Sequence, residues 1–80
     1  MIRSEIESKL TNVFRETFNQ PELQLSPSLT ADDVEGWDSL SHINLIVAVE
    51  QEFGFSFATR EVRSMKNVGD LIELVAKKVG

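Results

Sequence analysis

Apolar residues recur at steps of three and four through Ile2, Ile6, Leu10, Val13, Phe14 and Phe18. That spacing gathers side chains on one face of a helix. Arg3, Glu5, Glu7, Ser8, Lys9, Asn12 and Arg15 fall off the stripe. The pattern predicts a helix over residues 2–18. Asn19-Gln20-Pro21 ends it, because the residue before a proline disfavours the helical region. Helical periodicity returns over residues 39–53, with Asp38 or Ser39 as cap and Gly54 as terminator. A last stripe, Val68, Leu71, Ile72, Val75, Ala76 and Val79, follows Asn67 as cap, with Asp70 at the capping-box position. Lys77 and Lys78 fall in its final turn, where they favour the helix dipole. Before it, Phe55-Ser56-Phe57 reads as a short extended link and Thr59 as the cap of a short turn through Arg63.

The stretch from 19 to 38 has no period. Pro21 and Pro27, with Ser26 and Ser28, interrupt any regular element, yet Leu23, Leu25, Leu29, Val34 and Trp37 are apolar anchors. Thr30-Ala31-Asp32-Asp33 has the form of a capping box, so one helical turn is expected inside the loop. A loop this long in a small domain needs a reason to exist, and its anchors argue against disorder. The expected fold is all-α: a four-helix bundle with three long helices, a short third helix and a long first loop, over a single domain of residues 1–80.

The second long helix carries more apolar surface than one core requires. On a wheel of about 100° per residue, Leu45, Val49, His42, Phe53 and Ile46 share one arc. Leu40, Ile43 and Val47 form a second arc, and Ser39 lies between the two at the helix start. The second arc is read either as a face packed on a neighbouring helix or as an exposed patch for partner docking.

Composition narrows the class. A chain of 80 residues without cysteine has neither disulfides nor thiolate metal ligands to staple it, so packing alone must hold it. No apolar run approaches the roughly 20 residues of a membrane span, and the charged start MIRSEIESKL lacks the apolar core of a signal peptide. These features predict a cytoplasmic protein without membrane insertion. The net charge of −5 argues against nucleic acid as a partner. No Lys or Arg occurs between Arg15 and Arg60, an interval with a charge of −8, while the flanks are slightly positive. Such a block is a solvated acidic surface or a field that steers basic partners.

Gly36-Trp37-Asp38-Ser39-Leu40 lies in that block, with His42 three residues after the serine. A hydrolase would need a G-x-S-x-G elbow, whereas this chain has G-x-x-S. It would also need a base on the serine, and the wheel turns His42 toward the core. A calcium loop fails too, since counting back from Gly36 places Ala31 at the first ligand position. No metal site is expected. Ser39 is left at a helix start whose free N–H groups and dipole favour an anion. A phosphate ester on its oxygen would be stabilised there, attached by another enzyme.

Gly36-Trp37-Asp38-Ser39-Leu40, followed by Ile43, Leu45, Val49, Glu50, Glu52 and Phe53, resembles the acyl carrier protein family over nearly the whole chain. The resemblance implies 4′-phosphopantetheine on Ser39 as a phosphodiester, with Asp38 and Leu40 flanking the attachment. It implies a phosphopantetheinyl transferase that uses coenzyme A and magnesium, and partner enzymes that load and process an acyl thioester. It further implies no catalysis by the chain, a monomer, and docking through Leu40, Ile43, Val47 and Glu50. An aminoacyl, D-alanyl or peptidyl carrier shares these features, and an unmodified helical adaptor that binds through Leu40, Ile43 and Val47 is the reading from another class. Two positions depart from the pattern of fatty-acid-synthase carriers, which carry acids where this chain has Ser41 and Asn44. Their acidic third helix is here replaced by one with Arg60 and Arg63. These departures imply a specialised carrier dedicated to one pathway.

Overall fold

The computed structural model describes residues 2–79. Four helices follow in order: α1 (Arg3–Thr17), α2 (Ser39–Phe53), α3 (Thr59–Ser64) and α4 (Val68–Val79). A single 3-10 turn, Ala31–Asp33, interrupts the loop between α1 and α2. The core forms where three stripes meet: Ile6, Leu10, Val13 and Phe14 of α1, Leu45 and Val49 of α2, and Val68, Leu71, Ile72 and Val75 of α4. The short α3 contributes no buried residue and covers the side of the bundle. Ile2, placed on the first stripe by its spacing, is instead the N-cap of α1 and 63% exposed.

α1 ends by a mechanism other than its downstream proline. Asn19 adopts the left-handed conformation (φ 53°), the Gln20 amide donates to the Arg15 carbonyl at 3.0 Å, and the Asn19 amide donates to that of Glu16. This Schellman arrangement satisfies carbonyls that the last turn would leave free, and Pro21 merely follows it. α2 closes as expected at Gly54, which takes φ 76°.

Backbone bonds and apolar anchors hold the long loop down. Val34 is buried, and Leu23, Leu25, Leu29 and Trp37 pack against the core. The Thr30–Asp33 capping box is present. Two loop carbonyls then do the work of a cap on another helix: Leu29 accepts the Val68 amide at 2.8 Å and Pro27 the Gly69 amide at 2.9 Å. The first turn of a helix has N–H groups without internal partners, and here the loop supplies them for α4. Asn67 adds a side-chain cap, its Oδ1 accepting from the Asp70 amide at 2.8 Å. Asp70 returns its bond to the Lys66 amide, one residue earlier than a reciprocal box would have it. At α3 the cap position is Ala58 and not Thr59; the Glu61 carboxylate accepts the Ala58 amide at 2.8 Å.

Candidate functional site

Two serines open α2, and their hydroxyls are used differently. Asp38 is the N-cap, extended at φ −122°, and its Oδ1 accepts from the Ser41 amide at 2.9 Å. Ser41 closes the reciprocal half: its Oγ accepts from the Asp38 amide at 2.8 Å and donates to the Gly36 carbonyl at 2.6 Å. Gly36 turns the chain into this cap with φ 88°, a conformation that an L side chain rarely adopts. The hydrogen bonds from the Ser41 amide and hydroxyl hold the Asp38 carboxyl below its usual range. Ser39, the first helical residue, is exposed, and among the described residues its hydroxyl has no hydrogen-bond partner. Ser41 is therefore committed to the fold, and Ser39 is free for chemistry.

Beside Ser39 lies a cavity of about 340 Å3. One wall is Ala31, Trp37, Asp38 and His42; the other is Met65, Lys66 and Asn67, with Leu71 of α4. Trp37 sits edge-on to Phe14 at 5.4 Å and beside Phe18 at 5.8 Å. Its indole Nε1–H donates to His42 Nδ1 at 3.1 Å, and the two rings stack. An indole nitrogen only donates, so Nδ1 is the accepting nitrogen and the ring proton of neutral His42 is on Nε2. Among the described residues, no hydrogen bond joins His42 to Ser39. The half-buried histidine lines the cavity and does not serve as a base on the serine.

The second apolar arc of α2 faces outward. Leu40 is 71% exposed, Ile43 59% and Val47 45%. Sequence arithmetic thus separated the two faces correctly, with Leu45, Ile46 and Val49 buried on the other. Glu50, expected among the docking residues, also has a structural bond. It is half-buried, and its Oε2 accepts the Phe57 amide at 2.8 Å, fastening the α2–α3 link. Ser41 as Asp38's cap partner was legible in the Asp-x-x-Ser spacing but went unread. Met65, Lys66 and Asn67 carry no local signal, since only the docking of α4 brings them to the cavity.

The fold and this site define a small helical carrier, with a free hydroxyl at a helix start, a cavity beside it and apolar surface next to both. Comparison with known proteins gives the class its family. Residues 8–75 match the model of the phosphopantetheine attachment site family. The acyl carrier protein of Thermotoga maritima is 31% identical over 98% of this chain and 96% of its own length. That of Acidothermus cellulolyticus is 31% identical over 92% of this chain and 88% of its own. The solution structure of a holo acyl carrier protein from Geobacter metallireducens superposes with a TM-score of 0.85 at 44% identity, covering 90% of this chain and 83% of that one. The chain belongs to the acyl carrier protein family; it is a carrier and not an enzyme, and the family's prosthetic group is covalently held 4′-phosphopantetheine.

Proposed function

We propose that Ser39 carries the 4′-phosphopantetheine and that Asp38 and Leu40 flank it. The observation that supports this reading is the division of labour between the two serines: Ser41 is hydrogen-bonded in the cap, while the Ser39 hydroxyl is exposed and unpartnered. The residues present fit the group. The positive end of the α2 dipole lies at Ser39 and favours a phosphodiester there. The cavity beside it offers Lys66 to the anion, Asn67 to amides, and Trp37, Met65 and Leu71 to apolar atoms. When bound, the group supplies a terminal thiol for an acyl thioester, which a chain without cysteine lacks. The chain's own residues position and present. Asp38 and Ser41 fix the first turn of α2, the Trp37–His42 pair shapes one cavity wall, and Leu40, Ile43 and Val47 leave apolar surface for partner enzymes.

On this reading the partners are a phosphopantetheinyl transferase and enzymes that load and process the acyl group in fatty-acid, polyketide or related lipid biosynthesis, acting on a cytoplasmic monomer. Among the described residues no helix is long and apolar enough to cross a membrane. Ser41 and Asn44, with Glu50 already engaged, leave the α2 face short of free carboxylates, which favours a carrier dedicated to particular partners. The test is incubation with coenzyme A, magnesium and a broad-specificity transferase, read by intact mass. Wild type and Ser41→Ala gain one phosphopantetheine and Ser39→Ala gains none; an equal gain in Ser39→Ala overturns the assignment.

A further inference from the structure

Along α3 and its exit, Arg60, Arg63 and Lys66 recur at steps of three. All three are exposed, and among the described residues none makes a side-chain hydrogen bond or ion pair. Most other cations are engaged: Arg3 with Glu7 and Glu73, Lys9 with Glu52, Arg15 with the Leu23 carbonyl, and Lys78 with Glu61. Lys77, in the last turn of α4, is the other free one. In a chain of net charge −5, three of the four free cations among the described residues thus lie on its shortest α-helix and the exit from it.

The acids of the surrounding elements form no ion pair with these three side chains among the described residues, and Glu61 is the one that feels the charge of Arg60. Glu50 holds the Phe57 amide, Glu52 pairs with Lys9, Glu61 holds the Ala58 amide and Lys78, and Asp70 accepts the Lys66 amide. Each is engaged in a bond other than to Arg60, Arg63 or the Lys66 side chain. The polar α2 side chain that lines the groove is Glu50, and its carboxylate is turned to the Phe57 amide.

The cationic stripe borders apolar surface. A groove of about 250 Å3 runs between α2 and α3, lined by Ile43, Ile46, Val47 and Glu50 on one side and Thr59 and Val62 on the other. With Thr59 and Val62 facing the groove, helical geometry places Arg63 one turn beyond Thr59 on the same side and Arg60 on the outer shoulder. Lys66 lines the cavity beside Ser39. The stripe thus leads from the groove to the attachment site. On the far wall of that cavity Ala31 begins the acidic run Asp32, Asp33 and Glu35, so the two sides of the site have opposite sign.

We propose that the α2–α3 groove docks a partner protein that inserts an apolar side chain between Val47 and Val62 and sets Asp or Glu side chains against Arg60 and Arg63. The proposal rests on the carrier reading in one respect: the partner acts on the group at Ser39. Arginine suits this role because its planar fork meets a carboxylate with two parallel bonds. Complementary charge around an apolar anchor gives orientation and partner choice. A flat anionic lipid surface fits less well, since it would set like charge against Asp32, Asp33 and Glu35 across the site.

The test is selection of helical peptides from a displayed library against the 80-residue chain at about 0.15 M salt, where only close charge pairs survive screening. Selected peptides carry an apolar anchor flanked by Asp or Glu, and their binding shifts the amide resonances of Ile43, Val47, Thr59 and Val62. Arg63→Glu weakens them at least about tenfold, while Lys77→Glu, an equal change in net charge, alters binding less than about twofold. Amide spectra of both free variants confirm that they are folded. Peptides with Lys or Arg beside the anchor, peptides that bind Arg63→Glu as well as wild type, or no peptide at the groove overturn the proposal. So does Arg63-dependent binding to phosphatidylglycerol vesicles without peptide binding, or occupation of the groove by a second copy of the chain. The carrier reading fails separately, through the absence of a mass gain at Ser39, which the peptide measurement does not use.

Discussion

Ser39 and Ser41 differ by two positions and share the same chemistry, so only geometry distinguishes them. The third residue of a helix can reach back to the amide of its cap, and the first cannot. Ser41 therefore closes the box with Asp38, and Ser39 projects free. Ser41→Ala removes one half of the box and should lower the unfolding free energy by about 1 kcal/mol, read from a urea midpoint, without removing the modification site. Asp38 makes this corner sensitive to acid. Its carboxyl is held below the ordinary value of 3.8 by the bonds from Ser41, and that of Glu61 below 4.5 by the Ala58 amide and Lys78. A carboxyl held low favours folding above its ordinary value, and that contribution is lost as pH falls through its folded value. Stability should thus decline from about pH 4.5 downward, in the order Glu61 then Asp38. Asp38→Asn should flatten the part of the decline below 3.8. An unchanged pH profile in this variant would show that the cap is not formed by the ionised carboxyl.

At the scale of elements, the helices are held at their ends as much as along their faces. Gly54 and Gly69 separate two reasons for a glycine. A Cβ at Gly54 meets nothing within 4 Å, so Gly54→Ala costs only backbone strain at φ 76°, about 1 kcal/mol. A Cβ at Gly69 would stand 3.0 Å from the Pro27 carbonyl oxygen and 3.3 Å from the Pro27 Cβ. Gly69→Ala should therefore push the loop off the start of α4. Faster hydrogen exchange at the Val68 and Gly69 amides would report the broken bonds to Leu29 and Pro27; protection equal to wild type would contradict this. These bonds also mark where sequence reading stops. The stripes of α1, α2 and α4 were legible because burial selects apolar residues at helical spacing. The loop's grip on α4 was not, since it uses the carbonyls of Pro27 and Leu29, which carry no side-chain signature. Thr59 drew the cap assignment at α3 by residue type, whereas Glu61 reaching back to Ala58 supplies the bond. Pro21 likewise took the credit for a stop made by Asn19.

Across the whole molecule, α2 divides the chain into a structural half and a presenting half. Phe14 is fully buried at the centre of the core and touches both Phe18 and Trp37. Phe14→Ala should cost about 3–5 kcal/mol and loosen the Trp37–His42 wall along with the core. Leu40→Ala, on the exposed arc, should change stability by less than about 0.5 kcal/mol and show its effect only with partners. Paired urea titrations of the two variants check this contrast. The two arcs of α2 could be separated from the sequence because one periodic stripe already accounted for the core. The cavity could not, because Lys66 and Asn67 reach Ser39 only through the packing of α3 and α4. Nor could the engagement of Glu50, which looks like a surface acid until Phe57 folds back on it. Everything on the presenting half is organised around one free hydroxyl. Tandem mass spectrometry of the chain after transfer from coenzyme A tests that directly, since a peptide spanning residues 37–42 contains both serines. Fragment ions should place a single phosphopantetheine on Ser39 and none on Ser41. A modified Ser41, or an unmodified peptide under conditions that load a known carrier, would contradict the account.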